Sequence, residues 1–180
     1  MALLNNSPYF NPNKNDYYTK KKYWENILHL IPKDKIIFEA FMLNSESKSI
    51  EYLNELGFNN VVGNNKLNFL TDELPEFDII ISNPPFETKI KKQILEKLVL
   101  LDKPFIIVIN VMNIFSKYYR DIFKDKFKYL QDIDPHSKIK FEEYNKEKEE
   151  LVDCNDPAFY NCYLSYKMNI PNEDLWLLKN

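Results

Sequence analysis

Three observations predict an α/β chain built on a mostly parallel, doubly wound sheet with a C-terminal antiparallel hairpin. Short apolar runs at Ile36-Ile37-Phe38, at 79–81 and at 105–109 contain no polar residue, which is how strands buried on both faces read. Amphipathic stretches separate these runs, and strands alternating with helices imply parallel pairing. The last strand-like segments follow one another with no helix between them, which implies an antiparallel pair at one edge.

Residues 1–16, rich in Asn, Pro and Lys from 5 onward, are expected to form a mobile N-terminal arm ahead of a single domain at 17–180. A helix is expected over 20–30, with Tyr23, Trp24, Ile27, Leu28 and Leu30 on its apolar face and Pro32 and Asp34 ending it. The first strand, 36–38, runs into Glu39. A second helix, 45–56, turns Ile50, Leu53 and Leu56 inward and stops at Gly57, a residue type suited to helix ends. A short strand at 60–62, an extended piece at 67–70 and a loop at 72–76 lead to the strand 77–82. A helix over 88–100, with Ile90, Ile94, Leu95 and Leu98 on one face, precedes a buried strand at 104–110 and a helix at 114–124. Strand-like segments at 126–131, 138–142 and 159–168 follow, with the alternating charges of 145–150 forming an exposed loop or hairpin tip.

At 180 residues the chain is long enough for one domain with a real core. Its net charge of −3 means that any nucleic-acid contact must come from local patches: Lys20 with Lys21 and Lys22, Lys89 with Lys91 and Lys92, or 124–128. Each of these runs also suits a solvated helix face. Arg120 is the only arginine, and the abundance of Lys, Asn and Ile reads as the codon bias of an A+T-rich genome. Cys154 and Cys162 are too few and wrongly spaced for a zinc site and read as ordinary thiols of a cytoplasmic or nuclear protein. His29 and His136 stand in no supporting constellation. No stretch is long and apolar enough to span a membrane, and residues 1–4 do not read as a secretory signal.

The most distinctive stretch is Asn83-Pro84-Pro85-Phe86, placed at the carboxyl end of the strand 77–82, where open α/β sheets hold their ligands. Two prolines fix two φ angles and remove two N–H donors, leaving the Pro84 carbonyl without a local partner. Asn83 adds a side-chain acceptor and Phe86 a flat apolar face. The tetrapeptide resembles the catalytic motif of S-adenosylmethionine-dependent amino-methyltransferases, Asp/Asn/Ser-Pro-Pro-aromatic, which methylate the exocyclic amine of adenine or cytosine or a glutamine side-chain amide. The resemblance implies that Asn83, Pro84, Pro85 and Phe86 are catalytic. Two acceptors, the Asn83 oxygen and the Pro84 carbonyl, would draw the amine nitrogen toward tetrahedral geometry and restore a lone pair delocalised into the ring. With an activated methyl donor, positioning and hydrogen-bond acceptance then suffice, without a strong general base. Phe86 would stack on the base, a contact of about 1–3 kcal/mol; a target in a duplex must first be flipped out.

The likeness covers nearly the whole chain from Asp16 onward and is nearest to small viral and phage-type adenine-methyltransferase-like proteins, which implies a Rossmann-like methyltransferase fold. It implies that Tyr18 and Thr19 help hold S-adenosylmethionine, and that Glu39 and Phe41 belong to a cofactor loop whose family pattern is Glu-Pro-Phe-x-Gly-x-Gly. Leu43 and Ser45 stand where the family has glycines, and put Cβ atoms where it has none. Asn68, before Phe69, takes the place of an acid that contacts the cofactor's adenine and can still accept a hydrogen bond. The ribose-binding acid has no counterpart among Gly63, Asn64 and Asn65. Phe141 falls where related proteins carry an aromatic near the target base.

The implied activity is methyl transfer from S-adenosylmethionine to adenine N6 in DNA or RNA. Nucleic acid is then the expected partner, and a protein subunit is another, because the chain has no room for a separate target-recognition domain. Two alternatives remain open. One is a catalytically inactive methyltransferase-fold subunit, structural or nucleic-acid-binding, which the missing glycines favour. The other is a protein glutamine N-methyltransferase, which shares the motif.

Overall fold

The computed structural model describes residues 17–42, 47–145, 147–154 and 159–175; the arm at 1–16 and the positions Leu43 and Ser45 lie outside these described residues. Six strands form the main sheet in the order β3 (Val61–Val62), β2 (Ile37–Phe38), β4 (Ile79–Ser82), β5 (Phe105–Asn110), β9 (Asn161–Tyr166) and β6 (Leu130–Ile133). The first four are parallel, and β9 is antiparallel to both of its neighbours. The protein is therefore α/β with a mixed, mostly parallel sheet.

The unbroken apolar runs are explained by the two cores. Ile37, Ile79, Ile81, Ile106 and Val108 face one side with Trp24 of α1 (Lys21–Glu25) and Leu53 of α2 (Ser49–Glu55). Phe38, Ile80, Phe105, Ile107 and Ile109 face the other with Ile94, Leu95 and Leu98 of α3 (Thr88–Leu101) and Tyr119 and Phe123 of α5 (Lys117–Phe123). Helices on both faces cover β2, β4 and residues 105–109 of β5, so alternation has no reason to appear there. Among the described residues no helix is long and apolar enough to cross a membrane.

A second, antiparallel sheet lies apart: β1 (Tyr18–Thr19), β7 (Phe141–Asn145) and β8 (Glu150–Asp153). Thr19 pairs with Phe141 in register, and Lys20 closes the sheet by an ion pair to Asp153. Residues 147–149 lie at the tip of the β7–β8 hairpin, and β8 itself is a strand that its charges hide from a sequence reading.

The antiparallel pair expected at one edge is replaced by a different arrangement. β9 is inserted between β5 and β6, and β7 leaves the main sheet altogether. All six residues of β9 are buried, with Leu164 and Tyr166 in one core and Tyr163 in the other, so it behaves as an interior strand. β6, with polar Gln131 and Asp132, takes the edge instead. The helix expected over 20–30 is only α1 followed by a 3-10 turn at Leu28–Leu30, since Asn26 and the β-branched Ile27 hold it poorly. The helix expected over 114–124 divides into α4 (Val111–Ile114) and α5, because Ser116 accepts from the Tyr119 N–H and starts a new helix. The extended piece expected at 67–70 is a turn, in which Asn64 Oδ1 accepts from Lys66 and Leu67, and Asn68 Oδ1 from Leu70.

Gly57 follows α2 with φ +93°, as a helix-ending glycine should. Gly63 is demanded by space instead: a Cβ there would lie 2.4 Å from the Glu39 carbonyl oxygen. Gly63→Ala must push the end of β2 away, and is expected to lower stability by about 1–3 kcal/mol in chemical denaturation. An unchanged midpoint would show that the strand ends yield freely.

Candidate functional site

The site lies at the carboxyl ends of β2 and β4. Glu39 directly follows β2 and is buried, 2% exposed. Its Oε1 accepts from the Phe41 N–H at 3.1 Å and from the Ser82 hydroxyl, and Ser82 Oγ accepts in turn from the same N–H at 3.2 Å. Burial pushes the Glu39 carboxyl above its ordinary range, and hydrogen bonds from Ser82, Ser49 and Phe41 only partly offset this.

Asn83 comes next after Ser82. Its Nδ2 donates to the Tyr17 carbonyl at 3.1 Å, which fixes the amide's orientation, while the buried Oδ1 has no partner among the described residues. Pro84 is buried, and its carbonyl accepts no hydrogen bond among the described residues. Both acceptors expected of the motif are therefore uncommitted.

Asn83 and Glu39 line one cleft. β1 contributes Tyr18 and Thr19 to its wall, α1 contributes Trp24, and Phe41 comes from beyond β2. Ser47, Lys48, Ser49 and Tyr52 complete the lining from the start of α2. Tyr52 donates its hydroxyl to Glu142 Oε2 at 3.3 Å, and burial followed by that carboxylate raises it to about 12. Two more buried polar atoms of the wall lack partners among the described residues, Thr19 Oγ1 and Trp24 Nε1. Each such atom, with its hydration removed and nothing in exchange, costs about 1–3 kcal/mol. Three of them around one cleft mark a place shaped for a polar ligand.

Phe86 stands outside this cleft in a group of rings. Its centroid is 5.7 Å from Tyr17, 5.7 Å from Phe141 and 5.3 Å from Phe159. Phe141 is only 1% exposed, so it supports the Tyr17 and Phe86 rings from beneath and has no surface of its own to offer a substrate. Phe86 is half-buried. Asn68 and Phe69 are set apart from the cleft: Asn68 shapes its turn, and Phe69 is buried against Phe41 at 5.0 Å. The structure thus brings together Tyr18, Thr19, Glu39, Phe41 and Asn83, with Phe86 and Phe141 joined to them through Tyr17.

Three contributors escape a sequence reading. Trp24 and Tyr52 carry helical spacing that reads as core. Lys91 belongs to a basic run that reads as solvated, yet it is 3% exposed, with Nζ 5.4 Å from the Phe86 ring centroid and no carboxylate partner among the described residues. The remaining basic runs are largely surface ion pairs, such as Lys21 with Glu55, Lys92 with Glu96 and Lys126 with Asp102. His29 and His136 are exposed, neither cysteine is in a disulfide, and burial pushes the Cys162 thiol up to about 12. Among the described residues no three His, Cys, Asp or Glu side chains gather as a metal site.

No protein-family model matches the chain, and no curated protein matches it either.

Burial lowers the Lys91 ammonium to about 8 from an ordinary 10.5, so below pH 8 the folded chain carries a cation that the unfolded chain solvates better. Stability should rise between pH 8 and 10.5, where the folded state releases its proton first. Lys91→Met should therefore be more stable than the wild type at pH 7, by about 3 kcal/mol. That gap should shrink in urea titrations above pH 8, and a gap independent of pH would place the ammonium in water.

Proposed function

We propose that the chain transfers a methyl group from S-adenosylmethionine to the exocyclic N6 amine of adenine in DNA or RNA, on a Rossmann-like methyltransferase fold. One observation carries this reading: Asn83 Oδ1 is buried, oriented and unpaired, beside an equally unpaired Pro84 carbonyl, at the end of β4. Two acceptors and no donor suit an amine with two hydrogens. The half-buried Phe86 ring beside them suits a planar base.

Groups in the cleft wall support a place there for the cofactor that this chemistry needs. Thr19 Oγ1 and Trp24 Nε1 are orphaned polar atoms in its wall, Glu39 supplies an acid, and Tyr18 and Phe41 supply apolar faces. When bound there, S-adenosylmethionine supplies a methyl group already activated on a sulfonium. The chain's own residues would then accept hydrogen bonds from the amine at Asn83 and Pro84 and hold the base flat against Phe86, the proton that the methylated amine sheds passing to solvent.

A second reading is supported by Leu43 and Ser45: a fold that has given up the cofactor and serves as a subunit of a larger assembly. Titration calorimetry with S-adenosylmethionine separates the two. Binding is expected, and its absence with or without nucleic acid would sink the enzyme. Asn83→Ala should then reduce methyl transfer from radiolabelled cofactor by about 10²-fold or more while leaving cofactor affinity within about two-fold, in line with the loss of a positioned transition-state contact.

A further inference from the structure

Lys91 occupies the core-facing row of α3, which continues as Ile94, Leu95 and Leu98, and it is nearly as withdrawn from water as they are, at 3% exposed. A lysine on such a row ordinarily lays its stem on the core and keeps its head in water. This one does not. Its Nζ lies 5.4 Å from the centroid of the Phe86 ring, and among the described residues it makes no ion pair and no hydrogen bond.

The place of this charge on the helix is specific. Phe86 stands just before the cap residue Glu87, and Lys91 is the fourth residue of the helix, the two positions where an apolar pair commonly clamps a helix start. Here an ammonium stands where the inner apolar residue would be. The side chain runs back along the helix and delivers its charge at the amino end of α3.

That end is itself open to an anion. α3 has 14 residues, and its first ladder bond runs from the Lys91 N–H to the Glu87 carbonyl at 2.9 Å, so the N–H groups of Thr88, Lys89 and Ile90 have no intrahelical acceptor. No side chain caps them, and the first turn holds no acid. Glu87 is exposed and does not turn its carboxylate onto these groups. Lys89, also exposed, makes no ion pair among the described residues. Water alone satisfies N–H groups at an exposed helix start, but it does not account for an ammonium held out of water beside them. Burial lowers that ammonium to about 8, so at pH 7 it keeps its proton and adds to the positive end of the helix dipole.

We propose that the amino end of α3 and the Lys91 ammonium form a phosphate site, and that the phosphate it takes is carried by the nucleotide whose base lies on Phe86. Backbone N–H groups aimed outward beside an uncompensated cation are the donor set that a phosphate takes. A nucleotide joins a flat base to that anion, and the chain runs from Phe86 directly into Thr88, which sets ring and helix end side by side. A free carboxylate would use the helix end and leave the ring idle. The site deepens the methyl-transfer reading and rests on it for the identity of the strand, whereas phosphate binding itself needs neither cofactor nor transfer.

The first measurement is an amide NMR titration of the full chain with inorganic phosphate, against chloride at matched ionic strength. The signals of Thr88, Lys89 and Ile90 should move together and saturate. Lys91→Met, which keeps an unbranched apolar stem and is expected to be the more stable fold at pH 7, should lose that response. Thr88→Pro keeps the cation and removes one N–H at a helix position that accepts proline, behind a residue already extended at ψ 122°, and should weaken phosphate several-fold. The second measurement is fluorescence anisotropy with a labelled single strand. There Lys91→Met should cost about ten-fold in affinity, as the loss of a charged hydrogen bond does, and flatten the slope of log K against log salt by about 0.7, the share of one phosphate on a single strand.

No saturable response at residues 88–90, or an equal response in Lys91→Met, would overturn the site. A response to phosphate with no strand binding, or with strand affinity and salt slope unchanged in Lys91→Met, would overturn its assignment to nucleic acid. Calorimetry with S-adenosylmethionine keeps the two readings apart. A chain that binds phosphate and strand but no cofactor keeps the site and loses methyl transfer, whereas cofactor binding that is present in the wild type and lost in Lys91→Met would give the ammonium to the cofactor and overturn the phosphate site.

Discussion

The bond from the Ser82 hydroxyl to the buried Glu39 carboxyl is the constraint on which the site depends. It joins the ends of β2 and β4, adjacent parallel strands, at the level where each stops being a strand. The Phe41 N–H reaches both partners, so the chain leaving β2 is held in the same knot. Asn83 follows Ser82 directly, and its direction is inherited from that knot. On the other side, Gly63 leaves the Glu39 carbonyl room that a Cβ at that position would take. A buried carboxyl is an unfavourable element in isolation, and it is tolerated here because three donors surround it.

The small antiparallel sheet supplies what the main sheet lacks. A parallel sheet ends in loops and offers its carboxyl edge open to water. β1 crosses that edge, pinned by β7 and by the Lys20–Asp153 pair, and brings Tyr17 over Phe86 and Thr19 into the cleft. The Tyr17 carbonyl takes the Asn83 amide hydrogen, so the same crossing that roofs the cleft also aims the Asn83 oxygen. Roof and acceptor are therefore set by one strand pairing.

Much of this was readable in the residues, for reasons that differ element by element. Ile79 to Ile81 and Phe105 to Ile109 declare buried strands because both faces are covered and no polar residue interrupts them. The Asn83 turn declares itself because two prolines have few other uses after a strand. β9 did not reveal its place, since a strand's own residues report its burial and not its neighbours; only the polar Gln131 and Asp132 of β6 hint at which strand takes the edge. Lys91 was hidden by its charge, and Phe141 by the fact that an aromatic under a site and an aromatic in it have the same letter. Trp24 Nε1 was invisible for a related reason, because a missing partner is a property of three-dimensional neighbours.

The insertion of β9 also bears on how the molecule comes into being. The outer edge of β5 and the whole of β6 wait for a strand that is made some fifty and thirty residues later, respectively, by the intervals from Asn110 and Ile133 to Asn161. Until that stretch has left the ribosome, a hexapeptide of Phe, Ile, Val and Asn stands with one side unpaired, at high contact order and open to association with other chains. The antiparallel strand inside the sheet thus makes assembly of the sheet all-or-nothing: the parallel half can gather early, but the sheet closes only once β9 has been synthesised.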